Sequence, residues 1–267
     1  MLNYESQEFK SLNELREIAP SIFTKNGSSN TSNKYTHIPT DTVIKDLELL
    51  GWGVVDAKEV KARKQVGYQK HLVVFRNPDV VINGKDGDTV FPQILLTNSH
   101  DGKNSFSFQA GLFRMICENG LVIATKQFEN YKIRHMGYDF ETLQGVIKDM
   151  ISNLDLTVES MNKMKETELS KEQTFEFAKQ LLETRVAGSR NTFDGIAIED
   201  VLTPQRKEDK GNGLWEVFNR VQENIVEGNF QYLTPGGKLR QARPIKNFRQ
   251  DMNINAKMYE QALTFAA

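Results

Sequence analysis

Cysteine is almost absent from this chain. Cys117 stands alone among 267 residues, which excludes an internal disulfide and any zinc site built on several thiolates. Its neighbours Ile116 and Glu118 set it in an apolar pattern that favours an inert buried thiol over a nucleophile. Long apolar runs are also missing, and without a stretch of about 18 such residues a membrane span is excluded. The N-terminal Met1-Leu-Asn-Tyr-Glu-Ser-Gln-Glu8 has neither the basic start nor the apolar stretch of a signal peptide, so a cytoplasmic protein is expected. Phosphate-binding signatures are lacking too: there is no Gly-x-x-x-x-Gly-Lys-Ser/Thr loop, no Gly-x-Gly-x-x-Gly after a strand, and no Gly-x-Ser-x-Gly elbow. Gly211-Asn-Gly213 is more simply a flexible helix entry than a phosphate cradle. No two of His37, His71, His100 and His135 stand at a metal-ligand spacing, so neither a metal nor another cofactor is expected. These absences disfavour the common enzyme classes.

What remains is a globular composition, 39% hydrophobic and 26% charged, long enough to bury a sizeable core. The net charge is only −1, but it is unevenly spread. Between Leu50 and Arg76 the cations Lys58, Lys61, Arg63, Lys64, Lys70 and Arg76 face only Asp56 and Glu59. From Gly236 onward Lys238, Arg240, Arg243, Lys246, Arg249 and Lys257 face only Asp251 and Glu260, while Asp139 to Glu176 is acidic. Separated basic stretches are the electrostatic sign of a nucleic-acid partner, and equally the sign of a solvated face.

Periodicity orders the elements. Phe9 to Phe23 reads as a short amphipathic helix stopped near Pro20, and Thr24 to Asn33 as a polar, mobile loop. Thr40 stands as the N-cap of a helix that ends at Gly51. Strands are expected over Trp52–Lys64, Tyr68–Arg76, Phe91–Thr97, Ser105–Phe108, Leu121–Lys126 and Phe128–His135, with a short buried helix over Ala110–Glu118. Phe140, Leu143, Ile147, Met150, Leu154, Val158 and Met161 then predict one long helix from Asp139 to Lys165. Ser170-Lys-Glu-Gln173 is a capping box for the next helix, and helices follow from Leu214 and from Asn253. The expected fold is α+β, a mostly antiparallel sheet covered by a long helix, with a helical C-terminal third. The expected domains are 1–34 (N-terminal helix and loop), 35–165 (sheet core) and 166–267 (helical region).

Two stretches carry candidate chemistry. Asn98-Ser-His-Asp-Gly102 packs four polar side chains after a strand, yet adjacent His100 and Asp101 would point to opposite faces. The stretch therefore suits a turn satisfied by its own side chains, or a binding loop; a catalytic reading would rest on His100, Asp101, Asn98 and Arg114. The basic strand suits a single-stranded nucleic acid, with Lys61, Arg63, Lys64, Lys70 and Arg76 on phosphates and Tyr68 and His71 stacking on bases. An ordinary solvated sheet face would carry the same alternation. Arg240, Arg243, Lys246 and Arg249, in a stretch almost free of acids, suit backbone contacts. Gln222 and Asn224 near Arg220 suit either ligand reading or hydrogen bonds within the fold.

Tyr68-Gln-Lys-His-Leu-Val-Val-Phe-Arg76, Asn98-Ser-His-Asp-Gly102 and Gly111-Leu-Phe-Arg-Met-Ile-Cys-Glu-Asn-Gly-Leu-Val122 resemble the family called domain of unknown function 932, the phage/plasmid-like proteins. The resemblance continues through Leu202-Thr-Pro-Gln-Arg206, the run from Leu214 to Asn224, and Asn253-Ile-Asn255. It implies a gene of phages, plasmids and integrated elements in a bacterial host cell, and supplies no catalytic residues. A looser similarity in element order is to single-strand annealing proteins, which hold a basic groove along a curved sheet and form rings. The expectation is a non-enzymatic protein that binds single-stranded DNA in replication or recombination, possible as a homo-oligomer. The alternatives are a nucleic-acid- or nucleotide-acting enzyme centred on the Asn98–Asp101 loop, or a protein-interaction factor acting against host defence.

Overall fold

Side-chain alternation and a ladder of backbone bonds build the first half of the chain. The computed structural model describes residues 9–33, 35–62, 66–83, 89–104, 106–114, 119–122, 139–186, 197–234 and 236–266. The chain divides into two compact units, the first made of residues up to Gly120 together with Thr125–Leu154, the second of Leu121–Ala124 together with Asp155 onward.

The larger sheet is formed by β1 (Gly53–Glu59), β2 (His71–Arg76), β3 (Ile82–Asn83), β4 (Thr89–Asn98), β5 (Ser107–Arg114) and β6 (Asn119–Val122). The order is β1-β2-β4-β5-β6, with β3 beside the start of β4, and each of the pairs β1–β2, β2–β4, β3–β4 and β4–β5 is antiparallel. β2 runs against β4 from His71 opposite Asn98 to Arg76 opposite Gln93. All six residues of β2 are buried, so both of its faces are covered. Val73, Phe75, Leu96 and Phe108 form the centre of the core, with Leu15, Ile22, Ile44 and Leu47 from the preceding helices.

Those helices are α1 (Leu12–Ile18), followed by a 3-10 turn at Pro20–Phe23, and α2 (Thr40–Leu49). α1 starts with a capping box in which Ser11 and Glu14 exchange hydrogen bonds. Both α1 and α2 pack against β1. α2 departs from expectation at its start. Pro39 is the N-cap, and the Thr40 hydroxyl is turned inward to His71 instead of to the helix's own N–H groups. α2 ends as its glycine suggests, with Gly51 at φ 85°. The Thr24–Asn33 loop is tied to the sheet, because the Ser28 N–H donates to the His100 carbonyl at 2.8 Å.

Two expected helices are corrected. Over Ala110–Arg114 the chain is not helical but continues β5, with Ala110 opposite Ile94 and Leu112 opposite Pro92. Pairing with a long central strand satisfies the whole backbone there, and Gly111 weakens any helix. Residues 115–118, including Cys117, lie outside the described residues, as do the expected strand 128–135 and most of 121–126. The periodic stretch 139–165 is helical but not one helix. It forms α3 (Phe140–Ser152) and α4 (Leu154–Glu166), parted at Asn153. There the Asn153 side chain donates to the Asp149 carbonyl at 2.8 Å, and the Ser152 hydroxyl to the Lys148 carbonyl at 2.9 Å. Such side-chain bonds compete with the helical ladder.

The second unit holds α4, α5 (Lys171–Val186), α6 (Ile198–Leu202), α7 (Leu214–Glu227) and α8 (Phe248–Phe265). A two-stranded hairpin of β7 (Gln231–Leu233) and β8 (Leu239–Gln241) rises between α7 and α8 in sequence. The predicted Ser170–Gln173 capping box is present: the Ser170 N–H donates to Gln173 Oε1 at 2.8 Å and the Gln173 N–H to Ser170 Oγ at 3.2 Å. Phe177, Leu181, Trp215, Phe218, Val221 and Tyr259 are buried at the centre of this unit. The fold is α+β, with an antiparallel sheet and a helical C-terminal region. Among the described residues no helix is long and apolar enough to cross a membrane.

Candidate functional site

Three imidazoles meet at the end of β2 and β4. His71 opens β2 opposite Asn98, the last residue of β4, so antiparallel register alone brings the basic strand and the polar loop together. The His100 ring centroid lies 4.5 Å from that of His37 and 5.3 Å from that of His71. His71 is wholly buried between two hydroxyls: Nδ1 is 2.8 Å from Ser21 Oγ and Nε2 is 2.9 Å from Thr40 Oγ1. Burial pulls its pKa down to about 4, opposed only by the hydrogen bond with the Gln69 carbonyl. His37 is also lowered by burial, and its Nε2 lies 3.0 Å from the Thr24 carbonyl oxygen.

The polar loop is used up by the fold itself. Asn98 Nδ2 donates to the Ile38 carbonyl at 3.2 Å and to Thr40 Oγ1 at 3.0 Å, while its Oδ1 accepts from the Ser99 N–H at 2.8 Å. Asp101 Oδ1 accepts from Ser99 Oγ and from the Lys103 N–H at 2.8 and 3.0 Å, and Gly102 follows at φ 73°. This is the chemistry of a side-chain-stabilised turn. Asn98, Ser99 and His100 are completely buried, and no open path for a substrate is formed by them. Tyr35 donates to the Ser99 carbonyl at 3.4 Å, and burial, with Asp101 nearby, pushes its phenol up to about 12. Among the described residues no group of three His, Cys, Asp or Glu side chains could hold a metal ion. Arg114 closes β5 opposite Val90, on the sheet but far along β4 from Asn98.

The basic strand is corrected residue by residue. His71, buried and held at both nitrogens, is not available to stack on a base. Arg76 is 5% exposed, with its guanidinium 4.8 Å from the Phe91 ring centroid, so it faces protein and not phosphate. Tyr68 and Lys70 are half-buried and Lys61 is exposed, while Arg63 and Lys64 lie outside the described residues. This face offers less to a polyanion than its composition suggests.

The C-terminal basic segment offers more. Leu239, Arg240, Lys238, Arg243 and Lys246 are all exposed, and Arg249 sits in the first turn of α8. Arg240 stands directly opposite Tyr232 across the hairpin, which places a cation and an aromatic ring on one cross-strand pair. From Gly228 to Lys246 the chain contains no Asp or Glu. Asp200 accepts the Gln231 N–H at the root of the hairpin, at 3.0 Å. At the tip the Gly237 N–H donates to the Thr234 carbonyl, Gly237 adopts φ 72°, and a Cβ built on Gly236 or Gly237 would meet nothing within 4 Å.

A further polar assembly unites stretches far apart in sequence. α7 buries Asn219, Arg220, Gln222, Glu223 and Asn224. Arg206 pairs with Glu223 at 2.9 Å, Gln205 donates to Asn224 at 3.1 Å, and Gln222 donates to Asn255 at 2.7 Å. Arg220 donates to the carbonyls of Asp209 and Gly211 at 2.9 and 2.7 Å, capping the loop that leads into α7. Hydrogen bonding within the fold thus accounts for Gln222 and Asn224. Their burial inside a helix that also carries Trp215 and Phe218 was the one available hint.

Residues 28–259 match the model of the family described as Domain of unknown function (DUF932). The chain belongs to this family. It is similar to two proteins of Escherichia coli (strain K12). UPF0380 protein YafZ is 27% identical over 254 residues, covering 93% of this chain and 89% of the relative. UPF0380 protein YfjQ is 27% identical over 256 residues, covering 94% and 89%. No solved structure matches the chain. The matched span takes in the histidine cluster, the hairpin and the α7 network.

Proposed function

We propose that this family member is a non-enzymatic nucleic-acid-binding protein that prefers single strands, and that the β7–β8 hairpin is its principal grip. The observation that carries this reading is the acid-free run from Gly228 to Lys246, in which Lys238, Arg240, Arg243 and Lys246 are exposed and Tyr232 is paired across from Arg240. Cations that track a backbone beside a ring on which a base can stack are what a single strand needs. A role in replication or recombination of a mobile element fits such binding and rests on the family resemblance. The enzymatic alternative draws less support, because Asn98, His100 and Asp101 are bound into a turn and a closed core.

Titration of a labelled oligothymidine at several salt concentrations tests the proposal. Four neutralised phosphates give a slope of about −3 in log K against log salt for a single strand, or roughly 50-fold weaker binding between about 50 and 200 mM. Replacing Lys238, Arg240, Arg243 and Lys246 together by Ala should flatten that slope. Absence of binding at low salt would overturn the reading, and tighter binding to duplex would replace single strand by double strand.

A further inference from the structure

A two-stranded ribbon is not stable by itself, so the direction in which the hairpin projects its cations is set at its root. That root is built on the end of α7. Gly228 terminates the helix at φ 75°, and a Cβ there would lie 2.8 Å from the Ala242 carbonyl oxygen and 2.8 Å from the Arg243 carbonyl carbon. The strand returning from the hairpin therefore rests directly on Gly228. Phe230 is buried just before β7 and accepts the Ala242 N–H at 2.9 Å, the Ile245 N–H donates to the Val226 carbonyl at 2.9 Å, and Gln241 Nε2 donates to the Gly228 carbonyl.

One side chain joins this root to the rest of the unit. Asn224 is completely buried. Its Nδ2 donates to the carbonyls of Val201 and Thr203, at 3.0 and 2.8 Å, where α6 ends. Its Oδ1 accepts from Gln205 Nε2 and from Asn229 Nδ2, each at 3.1 Å. Its backbone carbonyl accepts the N–H groups of Gly228 and of Asn229, the latter at 2.8 Å. Both donors and both acceptor positions of the carboxamide are filled, which leaves it one orientation. The partners lie on α6, on the connection after it, and on the hairpin root.

We infer that Asn224 is a positioning residue for nucleic-acid binding: acting through Asn229 and Gly228, it holds the hairpin at the angle from which Lys238, Arg240, Arg243 and Lys246 engage one strand. This rests on the nucleic-acid reading above. Leverage makes the angle matter. About six residues of strand from root to tip span roughly 20 Å, so a tilt of about 10° displaces the tip by roughly 3 Å, the length of a hydrogen bond. Asn224 touches no ligand in this role, and it carries no charge.

The test uses Asn229→Ala, at an exposed position, and Asn224→Ala in the full chain, titrated with the same oligothymidine across salt concentrations. Asn229→Ala should weaken binding about fivefold, the equivalent of one hydrogen bond, and Asn224→Ala should weaken it more. The informative readout is the salt slope. Removal of one contacting cation, as in Arg240→Ala, lowers its magnitude by about 0.7 for a single strand. The positioning variants should lower it by more than that although every cation remains. Amide exchange at Ala242 and Ile245 in the free protein should also quicken in Asn229→Ala. If the unaltered chain binds and both variants bind with the same affinity and slope, this inference falls while the nucleic-acid reading stands. If the unaltered chain does not bind at low salt, both fall. Should Asn224→Ala not fold, Asn229→Ala and Gln205→Ala decide the matter alone.

Discussion

Acidification should unlatch the first unit before it affects any ordinary carboxylate, and His71 is the reason. The imidazole is wholly buried between Ser21 and Thr40, and its pKa falls from 6.5 in the unfolded chain to about 4. Between those values the unfolded chain takes up a proton that the folded one refuses, so the folded state loses stability as pH falls. The stability is complete above about pH 6.5 and the loss is complete near pH 4. At 1.36 kcal/mol per unit the full loss is about 3 kcal/mol, of which about 2 kcal/mol has gone by about pH 5. His37, lowered for the same reason, acts in the same direction. Glu14 and Asp139 are lowered by hydrogen bonds, and their contributions disappear only further down, as pH falls below the usual carboxylate range. The window from about pH 6.5 to 4.5 thus belongs to the histidines. The chain has two tryptophans, Trp52 beside β1 and Trp215 on α7, so a Trp215→Phe background leaves Trp52 as reporter of the first unit. Urea unfolding followed by its fluorescence at about pH 7, 6 and 5 should show the loss. His71→Gln, which cannot titrate, should lower stability at neutral pH and make the curve flatter. An unaltered chain as stable at about pH 5 as at pH 7, or a His71→Gln variant with an undiminished pH dependence, would refute the reasoning.

Other substitutions probe the same architecture. Phe108→Ala removes a buried ring that meets Phe106 edge-on at 5.0 Å, and should cost about 3–5 kcal/mol in urea unfolding. Asn98→Ala strips the Ile38 carbonyl and Thr40 hydroxyl of a buried donor and should cost about 1–3 kcal/mol, read by the same method. Gly228→Ala combines a left-handed backbone with a contact of 2.8 Å to main chain, so calorimetry should show a loss of at least about 1–2 kcal/mol. Ser170→Ala deletes the α5 cap and should cost about 1 kcal/mol.

The parts legible in the sequence were those governed by local rules. The Ser170–Gln173 capping box, the end of α2 at Gly51 and the strands around Val73 and Ile94 each follow from neighbours within a few residues. Where short-range signals conflicted with pairing, they misled. Ala110–Arg114 carries a helical spacing but lies along β4, and a strand paired over its length outweighs a weak preference. Thr40 has the chemistry of a helix cap, yet a histidine distant in sequence claims its hydroxyl.

By itself, then, the sequence determined the α+β class, the family, the antiparallel sheet and the acid-free character of Gly228–Lys246, because composition and periodicity are properties of the chain alone. Tertiary structure decided which cations face outward. Arg76 and Arg240 are both arginines in β-strands, but one lies in a strand covered on both faces and the other in a hairpin strand whose three residues are all exposed. It also decided that the Asn98–Gly102 loop is a corner closed on His71 and Thr40, and that Gln205, Arg206 and Asn255 gather on α7. Burial and hydrogen-bond partnership depend on what the rest of the chain brings close, and no local pattern records that.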